Sequence, residues 1–366
     1  MNESSTIRGQ PSRLQLEHVG RARELWPVVL VNAVLNLLTL SFYRFWAKTK
    51  VRRFLWHNTT LNGEPFEYTG TGKELFIGFL IVFFAVIVPL IIAQNVLSAL
   101  AASLHPALVV ALSLSFYVVI LLLIGLAIYR ARRYRLTRTF WRGIRGNMAG
   151  DPKVYAASYL GLIALNIVTL GLSYPFGRMR LFGRLMRETT FGDRQFSFEG
   201  AVWPLYQRYL LLWVPILLGM LVLGAEFGVG EAIRYGDPMT IGMYANTVDP
   251  AIMILPVVMV LYWMLAWAWY RAREIRHFTF CTRYADLSFG LEASGWSLIR
   301  LALGNLLIVL LTLGFGGPFT QMRVFRYACD RMTIQGSIDV DAIVQSSASA
   351  PSFGEGLADA FDLGAV

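Results

Sequence analysis

Four histidines are the side chains best suited to general-base or metal chemistry in this sequence, and they stand far apart at His18, His57, His105 and His277. None has the spacing that a metal ion exploits. Cys281 and Cys329 each lie in an arginine-rich stretch and share no paired motif, so neither a disulfide framework nor a zinc site is implied. No glycine-rich phosphate loop, serine nucleophile elbow or paired-carboxylate motif occurs. The chain therefore reads as a non-enzyme with no cofactor. What remains is polar atoms in apolar surroundings. Glu226 interrupts the run Leu223-Gly224-Ala225-Glu226-Phe227, and an acid at membrane depth is costly enough to mark a functional site, unless the end of its helix is solvated. Asn32, Asn36, Thr39, Asn166, Thr169, Asn305 and Thr312 form a second group. They can line a polar cavity. The simpler role is to bridge helices or cap a broken one, at about 0.5–2 kcal/mol each.

Several of these residues belong to a phrase that the chain writes three times. It first runs Asn36-Leu37-Leu38-Thr39-Leu40-Ser41, Phe45-Trp46, a basic arm with Lys48, Lys50, Arg52 and Arg53, then Thr59-Thr60-Leu61-Asn62-Gly63 and Phe66-Glu67-Tyr68. It returns without a gap from Asn166 through Thr169-Leu170-Gly171, Pro175-Phe176, Arg178, Arg180 and Thr189-Thr190-Phe191-Gly192 to Phe198. A worn copy holds Thr312-Leu313-Gly314, Pro318-Phe319, Arg323, Arg326 and Thr333-Ile334-Gln335-Gly336. Self-similarity of this kind is a statement about architecture.

The elements that position these residues are apolar. Of 366 residues, 56% are hydrophobic and 15% charged, too apolar a balance for a soluble globule. Windows at 75–93, 107–129, 210–228 and 251–269 are long enough to cross about 30 Å of hydrocarbon. Residues 26–46, 155–176 and 297–319 are apolar but interrupted by Asn, Thr, Gly and Pro. No removable signal peptide is expected in the polar first 24 residues. The fold expected is an all-α polytopic membrane protein. It has four firm transmembrane helices, three repeated re-entrant, interfacial or spanning segments, and small cytoplasmic β-hairpins. Its parts are a polar N-terminal segment at 1–24, a membrane domain at 25–336 with repeats at about 25–70, 155–200 and 296–340, and a flexible C-terminal tail at 337–366.

The net charge of +10 follows topology rather than nucleic acid, for which no recognition motif is present. Basic arms at 48–53, 130–145, 178–187, 271–283 and 323–331 belong inside, and the connections at 94–106 and 229–250, poor in Lys and Arg, belong outside. Both termini are then cytoplasmic. The four long segments alternate sides as they must. Each copy of the phrase instead starts and finishes on the inside, which favours a re-entrant or in-plane path over a plain crossing. Chain breakers at Gly171, Pro175, Gly314 and Pro318 suit such a path. The arms also suit anionic lipid headgroups, at about 1 kcal/mol per cation. The candidates are Lys48, Lys50, Arg52, Arg53, Arg130, Arg132, Arg178, Arg180, Arg271, Arg273 and Arg323.

Asn36-x-x-Thr39-Leu40, Tyr43, Phe45-Trp46-Ala47-Lys48, Arg52-Arg53-Phe54, Asn58-Thr59, Gly63, Phe66-Glu67-Tyr68 and Gly70 together resemble the signature of the YjgN-type bacterial inner-membrane proteins, a domain family of unknown function. The stretch Gly354-Glu355-Gly356-Leu357-Ala358-Asp359-Ala360-Phe361-Asp362 is similar to that family's ending. Ser41 departs from the Gly that Gly171 and Gly314 keep. The resemblance implies a multi-pass bacterial inner-membrane location and carries no reaction. Two functions stay open: a transporter or channel-like protein, and a membrane-organising or anionic-lipid-binding protein without transport activity. The expected partners are membrane lipids, with a second copy of the chain and an unnamed transported substrate left open.

Overall fold

Four helices that carry the basic arms hand over to a β-strand through a threonine. The structure is a computed structural model that describes residues 13–226, 254–337 and 343–345. The hydroxyls of Thr59, Thr139, Thr189 and Thr282 donate to the carbonyls of Leu55, Arg135, Leu185 and Phe278, four residues back, at 2.6–2.8 Å. Each side chain takes up a carbonyl that the end of its helix leaves open. A tight hairpin follows. In the first two, both central residues have positive φ, Asn62 and Gly63 at 51° and 82°, and Arg142 and Gly143 at 50° and 75°. That is the type I′ geometry whose twist matches the flanking strands.

The chain order is β1 (Arg13–Leu14), β2 (Leu16–His18), α1 (Ala22–Leu38), α2 (Arg44–His57), β3 (Thr59–Leu61), β4 (Glu64–Tyr68) and α3 (Gly72–Leu100), which holds a π-helical stretch at Phe83–Ile87. Next come α4 (Pro106–Thr137), β5 (Thr139–Trp141), β6 (Ile144–Met148), α5 (Pro152–Val168), α6 (Tyr174–Arg187), β7 (Thr189–Phe191) and β8 (Arg194–Phe198). The rest are α7 (Trp203–Glu226), α8 (Leu255–Phe280), β9 (Thr282–Tyr284), β10 (Leu287–Leu291), α9 (Gly295–Leu311), α10 (Gly317–Arg331) and β11 (Met332–Gln335).

All 11 strands form one antiparallel sheet in the order β1-β11-β10-β9-β8-β7-β6-β5-β4-β3-β2. Its two ends, β1 and β2, are separated by Gln15 alone. The stretch 13–18 pairs with β11 through Arg13 and Leu14 and with β3 through Leu16 to His18, so the sheet closes into a ring without a free edge. This corrects the all-α expectation. The hairpins join in one sheet, and two of them, at 139–148 and 282–291, begin in arms read only as charge. Aromatic and aliphatic side chains from opposite sides of the ring, including Leu16, Leu61, Phe191, Phe196, Tyr284, Phe289 and Ile334, meet in one cluster and fill the lumen. Ile343 joins that cluster, and its neighbours hold the hairpin turns: Val344 N–H donates to Asp193 Oδ1 at 3.2 Å, and Gln345 Nε2 to the Gly143 carbonyl at 2.9 Å.

The pairing of neighbouring strands decides where each pair of helices begins and ends. Because β2 pairs β3, β4 pairs β5, β6 pairs β7, β8 pairs β9 and β10 pairs β11, all five helix pairs rise from the sheet and return to it. Two pairs are long: α3, α4, α7 and α8 are each long and apolar enough to cross a membrane. Three are short. α1, α5 and α9 have 17 residues each, about 25 Å of helix and short of a ~30 Å hydrocarbon core. The return limb is the basic arm itself, α2, α6 or α10. The reversal therefore lies at the end of the apolar stretch rather than inside it.

The Thr-Leu-Gly phrase makes that reversal. Thr39, Thr169 and Thr312 donate to the carbonyls of Leu35, Leu165 and Ile308 and accept from the backbone N–H of Tyr43, Ser173 and Gly316. The next two residues turn left-handed: Leu40 and Ser41 at 49° and 69°, Leu170 and Gly171 at 50° and 93°, Leu313 and Gly314 at 49° and 92°. A leucine in this region costs about 1–2 kcal/mol. Each of the three leucines is nonetheless exposed, by 85%, 72% and 88%. Exposed apolar tips held at a cost in strain suit contact with lipid. At the second tip, Tyr209 Oη and Trp213 Nε1 on α7 donate to the Gly171 and Leu170 carbonyls at 2.8 and 2.7 Å.

Two outcomes follow. In bilayers brominated along the acyl chains, a tryptophan replacing Leu40 or Leu313 is quenched more strongly than one replacing Val19, beside the sheet; equal quenching would place the tips in water. His18, buried on the closing strand with Nδ1 2.9 Å from Thr59 Oγ1, has its pKa held below the ordinary value by burial and then by Arg326, against a smaller opposing pull from Asp330. The unfolded chain then takes up the proton first. This contribution to stability is complete above about pH 6.5 and is lost as pH falls below that value. Thermal melts of the parent between pH 7.5 and 5.5 drop more steeply than those of His18→Gln.

Candidate functional site

α1 carries Asn32 and Asn36 one helical turn apart, and α2 carries Arg44 and Lys48 in the same relation. The hairpin geometry brings the pairs face to face. Between them and the third tip lies a cavity of about 390 Å³, also lined by Gly314, Phe315, Pro318 and Gln321. It occupies the seam where α10 packs against α1 and closes the circle of helices, over a cluster of Leu25, Val29, Val51, Leu55 and Met322. Asn32 is 4% exposed; its Nδ2 donates to the Ala47 carbonyl at 3.5 Å, and its Oδ1 is buried without a hydrogen-bond partner. Asn36 Oδ1 is likewise buried and unpaired. An unpaired buried acceptor costs about 1–3 kcal/mol, a state that Asn147 Oδ1 and Asn305 Oδ1 share elsewhere in the fold. Among the described residues that line the cavity, none is Asp or Glu.

Toward the sheet, Lys48 and Gln321 are shared with a second space of about 60 Å³ lined by Arg52, Leu55, Trp56, Arg135 and Phe325. Arg52 is 6% exposed and donates to Tyr68 Oη at 3.1 Å, while Trp56 Nε1 donates to Thr139 Oγ1 at 2.8 Å.

The other polar candidates do not join this cavity. The hydroxyls of Thr39, Thr169 and Thr312 are used by their own turns. Asn166 Oδ1 accepts from Ser173 Oγ at 3.3 Å inside its own hairpin. Asn305 Oδ1 is buried and unpaired, but it lines an apolar groove of about 800 Å³ between α8 and α9. Glu226 closes α7, and its side chain lies outside the described residues.

The arm cations divide by partner. Arg178 Nε lies 3.2 Å from Glu274 Oε1, Arg271 holds the other oxygen, and Glu274 is fully buried. Arg53 donates to the Gly70 carbonyl at 2.9 Å, Arg132 leans on Met186 Sδ, and Arg323 lies against Gly304. Lys50 and Arg180 are exposed and lie over the rings of Tyr43 and Phe176, and Arg130 and Arg273 are exposed. Sequence reading missed Arg44 and Gln321, which stand four residues before Lys48 and Phe325. It also missed Glu274, a lone acid among arginines, and Glu74. Glu74 accepts from Tyr134 Oη at 2.6 Å and from Arg138 at 2.9 Å.

Fold and site define a class: a polytopic helical protein whose four long helices suit a membrane, rooted in a closed β ring. Residues 13–360 match the family described as "Bacterial protein of unknown function (DUF898)", and the chain belongs to it. It is similar to the inner membrane protein YjgN of Salmonella typhimurium, 40% identical over 80 residues, which is 22% of this chain and 20% of that protein. With YjgN of Escherichia coli K12 it shares 32% identity over 71 residues, 19% and 18% of the two chains. The matched stretch thus spans about a fifth of either relative. No solved structure matches.

Removing the buried carboxylate leaves two guanidinium groups facing each other across α6 and α8. Glu274→Ala is expected to destabilise the protein by about 3 kcal/mol in denaturant titration, and Glu274→Gln by less.

Proposed function

We propose that this chain is a multi-pass bacterial inner-membrane protein of transporter type, non-enzymatic, with its sheet ring, basic arms and both termini on the cytoplasmic side. The observation that carries the reading is the seam cavity: two unpaired amide oxygens facing two cations, near the level of tips that belong in lipid. Polar and ionisable groups at membrane depth mark substrate paths. Broken helices built on internal repeats are a common way to make them, and the three Thr-Leu-Gly hairpins are read here as such repeats. Names of relatives support the inner membrane as the location.

A second reading has its own observation. The 800 Å³ groove between α8 and α9 runs from Leu261 past Trp263 and Trp267 to Arg271, which suits an acyl chain with its headgroup at the basic end. On that reading the protein binds anionic lipid and moves nothing.

Swelling of proteoliposomes in iso-osmotic KCl, glycerol and sodium gluconate separates the two. The transport reading expects faster swelling than in protein-free liposomes for at least one solute, slowed by Asn36→Ala. Swelling equal to the protein-free control in all three, with salt-sensitive binding to phosphatidylglycerol vesicles, would leave the lipid reading standing.

A further inference from the structure

Each β-hairpin is entered from one helix and left into another at the same end of its strands, so the hairpin turns lie at the mouth of the ring away from the helices. Three residues cross this mouth: Ile343, Val344 and Gln345. They belong to none of the 11 strands, whose ladder is complete without them. Their contacts nevertheless have the pattern of a recognised peptide. Ile343 is 6% exposed among Tyr284, Leu287 and Ile334, while Val344 faces outward at 66%. The Val344 N–H donates to Asp193 Oδ1. The Gln345 amide is engaged at both ends by the β5–β6 hairpin. Its Nε2 donates to the Gly143 carbonyl at 2.9 Å, and its Oε1 accepts from the Arg145 backbone N–H at 3.0 Å. An aliphatic anchor, an outward spacer and an amide anchor follow the two-residue alternation of an extended chain.

The turn glycines show that the mouth is shaped for this segment. Gly63 and Gly143 have φ of 82° and 75°, and a Cβ on either would meet open space. At Gly192, with φ of 60°, a Cβ would overlap Ile343 Cγ2 and lie 2.7 Å from the Val344 carbonyl oxygen. The β7–β8 turn is also written in the opposite order, Gly192-Asp193 where its neighbours have Asn62-Gly63 and Arg142-Gly143. The bare Cα makes a notch, and the carboxylate beside it takes the peptide N–H. We infer that the mouth of the ring is a recognition site for an extended peptide bearing an aliphatic residue and, two places later, a glutamine, and that residues 343–345 are its tethered, displaceable ligand. The site depends on neither functional reading. Among the described residues, displacement breaks only the hydrogen bonds of Val344 and Gln345 and unseats Ile343, with no loss from the ladder. So small a grip holds because the segment is tethered. It follows β11 by eight positions, which supplies a local concentration on the order of millimolar.

In the test, Val344, the outward spacer, becomes Val344→Cys in the full chain and carries a nitroxide. The parent without that substitution reports any labelling of the buried Cys281 and Cys329. The line shape of the label separates docked from free segment and gives their ratio, which should favour the docked form. Gln345→Ala removes the amide anchor and Gly192→Ala fills the notch; each is expected to lower the docked-to-free ratio about tenfold or more. Gly63→Ala places a side chain on a similarly left-handed turn with open space around it, and should leave the ratio unchanged. A synthetic peptide of residues 340–348 at millimolar concentration should free the labelled segment. The same peptide with alanine in place of its glutamine should need about tenfold more. A label already free before any further change, or one as immobile in Gln345→Ala and Gly192→Ala as without them, overturns the inference. So does a segment that neither peptide releases, or that both release alike.

Discussion

The closure of the sheet is the constraint on which the rest of the molecule depends. Among the described residues no strand is longer than five, and a hairpin of that size has little stability alone. Their hydrogen bonds hold because each hairpin finds a neighbour on both sides, and because 13–18 offers one edge to β11 and the other to β3. Once the ring is closed, every helix pair must leave it and come back to adjacent strands. Helix length then separates the pairs: the long ones are long and apolar enough to cross a membrane, and the 17-residue ones fall short of that length.

A second consequence concerns charge. The return limbs of the short hairpins are the basic arms, so cations are carried up from the sheet along α2, α6 and α10. On α6, Arg178 and Arg184 are paired with Glu274 and Glu188. At the seam, Arg44 and Lys48 share a cavity with Asn32, Asn36 and Gln321.

Much of this was legible in residue order. The Thr-Leu-Gly phrase marks the reversals because a hydroxyl at Thr39, Thr169 or Thr312 and a left-handed pair after it are local requirements. Charge parity showed that the same segments return to their starting side. The hairpin at 60–68 was legible from Asn62-Gly63, whose φ preferences are intrinsic. The hairpin at 282–291 was not, because its turn runs Tyr284-Ala285-Asp286-Leu287 and Ala285 takes a positive φ that only its neighbours enforce. Closure was invisible for a different reason: β1 and β2 are five residues in a polar stretch, and their partners lie more than 40 and more than 300 residues away.

The sequence by itself determined the apolar spans and the reversals, since periodicity and capping act within a turn or a loop. Tertiary structure alone decided which polar residues matter. Asn36 and Asn166 occupy the same place in the same phrase, and one is satisfied by Ser173 while the other faces a cavity with Arg44 and Lys48. That difference comes from what packs beside each hairpin: α7 against the second tip, and the third tip against the first. Such pairings depend on the closing of the ring, a long-range event that no local pattern encodes.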